Sequence, residues 1–296
     1  MAGPLHSNFV TDILSKPEFA AEFFSIALNQ EFVDLLDLGT ISTEEKSYID
    51  KDLKEYRTDL LFNLKLKSGE DRNIYILFEH KSHPDRSIVR QLLRYLFLIH
   101  ADQEELKPVI PVVFYHGKEK WTIPEELQSF FGLTEPEKAA LGDHFLNFRY
   151  FLVDVGALDL EGIRASFAQR AFLDLLIRIW DFEDLGRVEE YFQRFGEFFR
   201  GSELEFFEKL LVYIFRVQDI EPETLRRIIK DIISEDRGDF AMTTAERLEQ
   251  RGMEKGILQG KLEDAKNFLN NGVSLEVVLK STSLTEEQLR EAKIIQ

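Results

Sequence analysis

The chain contains no cysteine among its 296 residues, which excludes disulfide bonds and thiolate chemistry and is typical of a reducing compartment. Long apolar runs are also missing, since segments such as "VIPVVFY" are far shorter than the about 20 residues that cross a bilayer. The first residues show no basic region followed by an apolar run, so we expect no signal peptide. These absences predict a soluble, cytoplasmic protein without membrane contact.

Basic residues are scarce as well: 37 Lys and Arg stand against 54 Asp and Glu, a net charge of −17. Taken alone, this argues against a nucleic-acid partner, because phosphate contacts depend on Lys and Arg. Residues 81–100 nevertheless carry four basic side chains and one acidic one, and local potential decides binding. No G-x-S-x-G, Walker A or Rossmann motif occurs, so acyl transfer and nucleotide-triphosphate hydrolysis have no support.

Apolar residues are plentiful, at 44% with 26 Phe, which is enough for a sizeable core. Helical spacing predicts one helix over 17–36 and another over 86–102. Alternating or short apolar runs predict four strands, of which the first two form a β-hairpin; they lie within 59–69, 73–79, 107–117 and 149–155. This order predicts an α/β fold with a mixed sheet flanked by helices.

Beyond Gly156 only amphipathic helical patterns follow. We therefore predict a core domain over 1–156, a helical domain over 157–240 and a helical tail over 241–296. Within the tail, three glycines recur one helical turn apart: Gly252, Gly256 and Gly260. Each costs about 1 kcal/mol relative to Ala in a helix, so their register indicates a close helix–helix contact, for example in a homo-oligomer. A weakly formed helix is the alternative.

The end of the second strand carries Glu79 and Lys81 two positions apart, so both side chains project from one face of the sheet. The predicted hairpin brings Asp59 alongside them. Two carboxylates at a sheet edge can hold a hard cation, most suitably Mg²⁺. A lysine beside the metal can orient the attacking water and stabilise the developing charge. The group therefore predicts phosphodiester hydrolysis.

The following helix adds polar side chains next to this group. Gln91 and Tyr95 share one face, and a neighbouring basic stripe consists of Arg86, Arg90 and Arg94. Arginine suits phosphate contact, and Tyr95 can stack on or hydrogen-bond a nucleotide. A solvated helix face is the alternative for the arginines.

The segments "TDLLF" with Asp59, "FEHKS" with Glu79 and Lys81, and the Gln91-x-x-x-Tyr95 helix together resemble the PD-(D/E)xK nuclease pattern of the RecB-like branch. Residues 5–155, with "PVVFYHGKEKW" and the glycine-spaced tail, are similar to the Rpn family of recombination-promoting nucleases, also called Transposase_31 proteins.

The resemblance implies a restriction-endonuclease-like core and a Mg²⁺-dependent DNA endonuclease. In it Asp59 and Glu79 are metal ligands, Lys81 is the catalytic lysine, and Gln91 and Tyr95 support the site. The chain departs from the pattern at Thr58, where many relatives have Pro, and at Ser7, where an Asp is expected. A glutamate of an N-terminal helix often joins such sites, and Glu18 and Glu22 are the candidates.

Three other interpretations stay open. The charged strand end forms an exposed ion pair of about 0–1 kcal/mol, or the chain is an inactive nuclease fold that binds DNA or regulates a partner. Alternatively, the helical half is a protein-interaction module. A zinc site at His80 and His83 is disfavoured, because the chain lacks cysteine and an H-E-x-x-H motif, and His80 is expected to face away from Glu79.

Overall fold

A five-stranded mixed sheet forms the centre of the protein, whose computed structural model describes residues 3–44, 60–68, 73–101 and 103–295. The strands lie in chain order: β1 (Leu36–Thr43), β2 (Leu60–Leu66), β3 (Asn73–Lys81), β4 (Val109–Tyr115) and β5 (Phe151–Asp154). β2 is antiparallel to both β1 and β3, while β3, β4 and β5 run parallel to one another. The predicted hairpin and mixed sheet are confirmed.

Helices precede, interrupt and follow the sheet. They are α1 (Gly3–Leu14), α2 (Pro17–Ala27), α3 (Gln30–Leu35), α4 (Ile88–Ala101), α5 (Glu135–Leu141), α6 (Phe167–Arg178), α7 (Leu185–Gly201), α8 (Leu204–Val217), α9 (Pro222–Ile232), α10 (Glu235–Asn270), α11 (Leu275–Thr282) and α12 (Glu286–Glu291). The helical C-terminal part is confirmed, while its division into separate domains stays a prediction. No helix of the described ranges is long and apolar enough to cross a membrane.

The prediction of one continuous helix over 17–36 is wrong. The side chain of Asn29 accepts a 2.9 Å hydrogen bond from the backbone N–H of Phe32, which starts the separate helix α3. From Leu36 the chain extends as β1 and pairs with β2 through an irregular register. Only Leu36 and Ile41 of this strand are buried, so no alternation marked it in the sequence.

The sheet separates two apolar cores. The larger core combines even-numbered strand residues such as Phe62 and Phe78 with α1, α2 and helices α6 to α9. The smaller one, the α4 core, combines odd-numbered residues such as Leu77 with Val89 and Leu92 of α4. Because β3 alternates, the position of a side chain along it decides which core it faces.

Helix α10 is 36 residues long and leaves the larger core partway along its length. Ala241 belongs to that core, whereas Ala265 packs with Val278 and Leu289 in a small separate cluster. The predicted close contact at the three tail glycines is not made within the described residues, since a Cβ added at any of them would meet no atom within 4 Å.

Candidate active site at the end of strand β3

Glu79 and Lys81 lie at the end of β3, on the face of the strand that packs against α4. The strand persists through both residues, since Glu79 pairs with Val113 and Lys81 with Tyr115 of β4. Lys81 Nζ lies 3.4 Å from Glu79 Oε1, so the prediction that the two side chains share a face is confirmed. Glu79 is 2% exposed and the Lys81 side chain 14%. The pair is thus not the exposed ion pair considered as an alternative.

Gln91 of α4 joins these two charges through both ends of its amide. Its Nε2 donates to Glu79 Oε1 at 2.7 Å and to the Tyr95 hydroxyl at 3.0 Å, while its Oε1 accepts from Lys81 Nζ at 2.9 Å. A carboxylate only accepts and an ammonium only donates, so the two charges determine which way the amide points. Gln91 and Tyr95, predicted to share a face, therefore meet the strand residues as a single hydrogen-bonded group.

Asp85 is a member of this group that the sequence interpretation counted only as a charge. Its Oδ2 lies 3.2 Å from Lys81 Nζ, and the backbone and hydroxyl of Ser87 donate to its carboxylate at 2.8 and 2.7 Å. Burial alone raises the pKa of Asp85, but the hydrogen bonds from Ser87 and the nearby Lys81 lower it below its ordinary value overall. In the sequence, the signal for this local hydrogen bonding was an Asp placed two residues before a Ser at the start of a predicted helix.

The second carboxylate oxygen of Glu79 takes no part in this hydrogen-bond network. Glu79 Oε2 is buried and has no hydrogen-bond partner among the residues that the structure describes. An unpaired buried carboxylate oxygen is costly, about 1–3 kcal/mol or more, unless a cation or water satisfies it. The oxygen is chemically suited to a hard divalent cation such as Mg²⁺.

Asp59, the other predicted metal ligand, lies outside the described residues. Leu60, its neighbour in sequence, pairs with Phe78, the neighbour of Glu79. Among the described ranges, no group of three or more His, Asp or Glu side chains has a metal-binding arrangement.

The predicted basic stripe lies on the solvent side of α4 and of the short segment just before it. Arg86, Arg90 and Arg94 are all exposed. The guanidinium of Arg86 lies 5.7 Å from the ring centre of Phe130, a cation–π distance. Arg90 and Arg94 form no ion pair with the described part of the chain.

The opposite face of β3 carries a chain of buried histidines. His80 Nε2 lies 2.9 Å from His116 Nδ1, His116 Nε2 lies 3.4 Å from His6 Nδ1, and His6 Nδ1 lies 2.7 Å from the hydroxyl of Tyr213. Trp180 donates to the carbonyl of His116 at 2.8 Å. His80 thus faces away from Glu79, as predicted. The row of hydrogen-bonded histidines connects α1, the sheet and α8.

Burial keeps these imidazoles neutral. Desolvation lowers the pKa of His6 to about 4 and that of His116 to about 3, and it holds the pKa of His80 well below its ordinary value. No sequence pattern marks these histidines as a group, because the contacts join residues as far apart as 110 positions for His6 and His116 and 207 positions for His6 and Tyr213.

The N-terminal candidates are not brought to the Glu79 group within the described residues. Ser7 follows His6 on α1, is buried, and its hydroxyl has no described hydrogen-bond partner. The carboxylate of Glu22 accepts hydrogen bonds from the backbone and hydroxyl of Ser166, the cap of α6. Glu18 is exposed in the first turn of α2. Glu22 therefore has a structural role in joining α2 to α6.

Comparison with known proteins agrees with the resemblance in the sequence. Residues 4–204 match the family model Transposase_31, described as "Putative transposase, YhgA-like". Because this covers more than half of the chain, the chain belongs to that family.

Three curated proteins of Escherichia coli strain K12 are similar at 28% identity. The recombination-promoting nuclease RpnA aligns over 97% of this chain and 96% of its own, and the inactive recombination-promoting nuclease-like protein RpnE over 96% of each. The recombination-promoting nuclease RpnC aligns over 84% of this chain and 82% of its own. No solved structure matches the chain.

Proposed function

We propose that this protein is a metal-dependent DNA endonuclease with a core of the PD-(D/E)xK type. The observation that carries the proposal is the buried Glu79 carboxylate, one oxygen of which is held by Gln91 and Lys81 while the other is unpaired. Similarity over nearly the whole chain to RpnA, named a recombination-promoting nuclease, supports the same activity.

Glu79 Oε2 and a carboxylate oxygen of Asp59 are the proposed ligands of Mg²⁺. A bound Mg²⁺ supplies Lewis acidity, polarising a phosphate oxygen and lowering the pKa of a bound water. The ligand set agrees with the preference of this ion for a few carboxylates supplemented by water and substrate phosphate.

Lys81 orients the attacking water and stabilises the charge that develops on the phosphate. The water oxygen forms a bond to phosphorus and its proton passes to solvent. The bond from phosphorus to the sugar oxygen breaks, and the sugar oxygen leaves as a hydroxyl after taking a proton from solvent. Gln91 and Asp85 hold the ammonium at 2.9 and 3.2 Å, so its position is set before DNA arrives. Tyr95 in turn holds the Gln91 amide.

Nicking of supercoiled plasmid tests the proposal. We expect Mg²⁺-dependent nicking by the wild type and its loss, by at least about 100-fold, in Glu79→Gln and Lys81→Met. Lys118→Met is a matched control, because this exposed lysine pairs only with exposed Asp181 among the described residues. Nicking that survives both site variants would refute the assignment.

Metal binding provides a separate readout. We expect Mg²⁺ to raise the melting temperature of the wild type but not of Glu79→Gln, since only the intact carboxylate adds binding energy to the folded state. A shift of equal size in both proteins would place the metal elsewhere.

A second candidate function is DNA binding without cleavage. RpnE, whose name describes it as inactive, is as similar to this chain as RpnA is. Salt-sensitive DNA binding by a wild type that does not nick plasmid at any Mg²⁺ concentration would favour this candidate.

A further inference from the structure

The basic stripe of α4 ends in an exposed aromatic ring that the proposed active site does not use. Phe97 is 69% exposed, although it belongs to the helix that carries Gln91 and Tyr95. At 3.6 residues per turn, Arg90, Arg94 and Phe97 follow one another along a single line on the solvent side of the helix. The ring thus continues the stripe rather than the apolar face.

The charge around this line is opposite in sign to that of the whole chain. The chain has 17 more acidic than basic side chains, yet Arg90 and Arg94 form no ion pair with any described residue. Residues 81–100, which contain this line, carry four Lys and Arg side chains against one Asp, so the surface is locally basic. Two unpaired guanidinium groups in an acidic protein favour a phosphate backbone as the occupant.

An exposed ring beside these cations indicates which form of DNA fits. Bases in a duplex are stacked on one another, whereas unpaired bases offer a free face to an aromatic side chain.

We propose that α4 binds an unpaired DNA strand, with Arg90 and Arg94 on its phosphates and Phe97 stacked on a base. This inference rests on the proposed function, and it specifies the substrate as single-stranded or locally melted DNA. Arg86, held over Phe130, extends the phosphate path towards Asp85 and Lys81 at the start of the helix. Binding along this path directs the strand towards the Glu79 group.

Fluorescence anisotropy with a short labelled single strand and the matching duplex, both in EDTA so that neither is cut, tests the inference. We expect the wild type to prefer the single strand, and Phe97→Ala to weaken that binding about 5- to 150-fold, the range for loss of one base–aromatic stack. Phe97→Leu should lose as much, because it keeps apolar area but not the ring. Phe97→Trp should retain the affinity.

Phe268→Ala is the matched control, since this helical ring is 42% exposed but the side chain one turn before it, Asp264, is acidic. An unchanged single-strand affinity in Phe97→Ala, or an equal loss on the duplex, would overturn the inference. If plasmid nicking by the wild type persists in that case, the proposed function stands. A wild type that neither binds DNA nor nicks it overturns both.

Discussion

Gln91 donates a 2.7 Å hydrogen bond to Glu79 across 12 residues of sequence, from the first turn of α4 to the third-last residue of β3. The same amide accepts a hydrogen bond from Lys81, so it bridges the two charged groups, which also contact each other directly at 3.4 Å. The catalytic proposal depends on this arrangement, because it holds a carboxylate and an ammonium together without leaving either free to turn away.

Replacing Gln91 by Leu should destabilise the protein and suppress nicking. Glu79 Oε1 then loses its amide donor inside the α4 core, at a cost of about 1–3 kcal/mol. Urea unfolding followed by circular dichroism measures this free energy. Gln169→Leu is the control: its buried amide has no described partner, so its removal should leave the stability equal or higher. Equal losses in the two variants would contradict the prediction.

Asp85→Asn should reduce nicking more than it reduces stability. The amide keeps one oxygen for the backbone N–H of Ser87, and its NH2 group can donate to the Ser87 hydroxyl. The charge beside Lys81 is lost at a site that is partly exposed, which limits the stability change to about 1 kcal/mol. Comparison of kcat with KM separates the effects, since mispositioning of Lys81 lowers kcat. Ser87→Ala provides the contrast, because it weakens the helix start while leaving the Asp85 charge in place. A KM change alone would refute the positioning role.

Stability should fall steeply with acid because of the histidine chain. The unfolded chain protonates its imidazoles near pH 6.5, whereas the folded protein keeps them neutral down to about pH 4 for His6 and about 3 for His116. The unfolded state therefore binds more protons below pH 6.5, and the free energy of unfolding decreases as pH falls, by up to about 1.4 kcal/mol per pH unit for each histidine.

Urea unfolding between pH 7 and 5 measures that slope. His116→Asn should reduce this slope by up to the contribution of one bound proton, about 1.4 kcal/mol per pH unit. His83→Asn and His144→Asn are controls, because both side chains are exposed and should leave the slope unchanged. A slope unaffected by the His116 substitution would show that this histidine does not stay neutral in the folded protein.

Salt should weaken DNA binding in proportion to the arginines engaged. Removal of Arg90 or Arg94 should reduce the slope of log K against log salt by about 0.7 each on a single strand. Arg187→Ala is the control, since its guanidinium already pairs with Glu190 at 2.9 Å. Identical slopes in the wild type and the double α4 variant would exclude this helix from the phosphate path.

A chain ending at Gln250 should keep the main fold. Ala241 and Thr244 of α10 are buried, while residues 251–260 are all exposed and the last cluster is built around Ala265. We expect a melting temperature within about 4 °C of the full chain, since less than about 1 kcal/mol of the main core is removed. Sedimentation of both chains then tests the predicted homo-oligomer: an assembly lost on truncation would assign it to the tail. A much lower melting temperature would show that the tail stabilises the core.

Local periodicity determined a large part of this structure. Alternation along β3 placed Glu79 and Lys81 on one face and His80 on the other, and helical spacing placed Gln91 beside Tyr95. The start of α12 at Thr285 was also predictable, because its capping box with Gln288 acts within four residues. These features depend on backbone geometry alone, which a short stretch of sequence specifies.

Only the tertiary structure decided which faces meet. The parallel pairing of β3 with β4 requires a crossover through α4, and that crossover places Gln91 over Glu79 and brings Asp85 to Lys81. The same folding brings His6 and His116 together from distant parts of the chain, and it makes an edge strand of β1 despite its irregular pattern. Contacts of this kind depend on the burial of apolar faces that are far apart in sequence, so no local pattern encodes them.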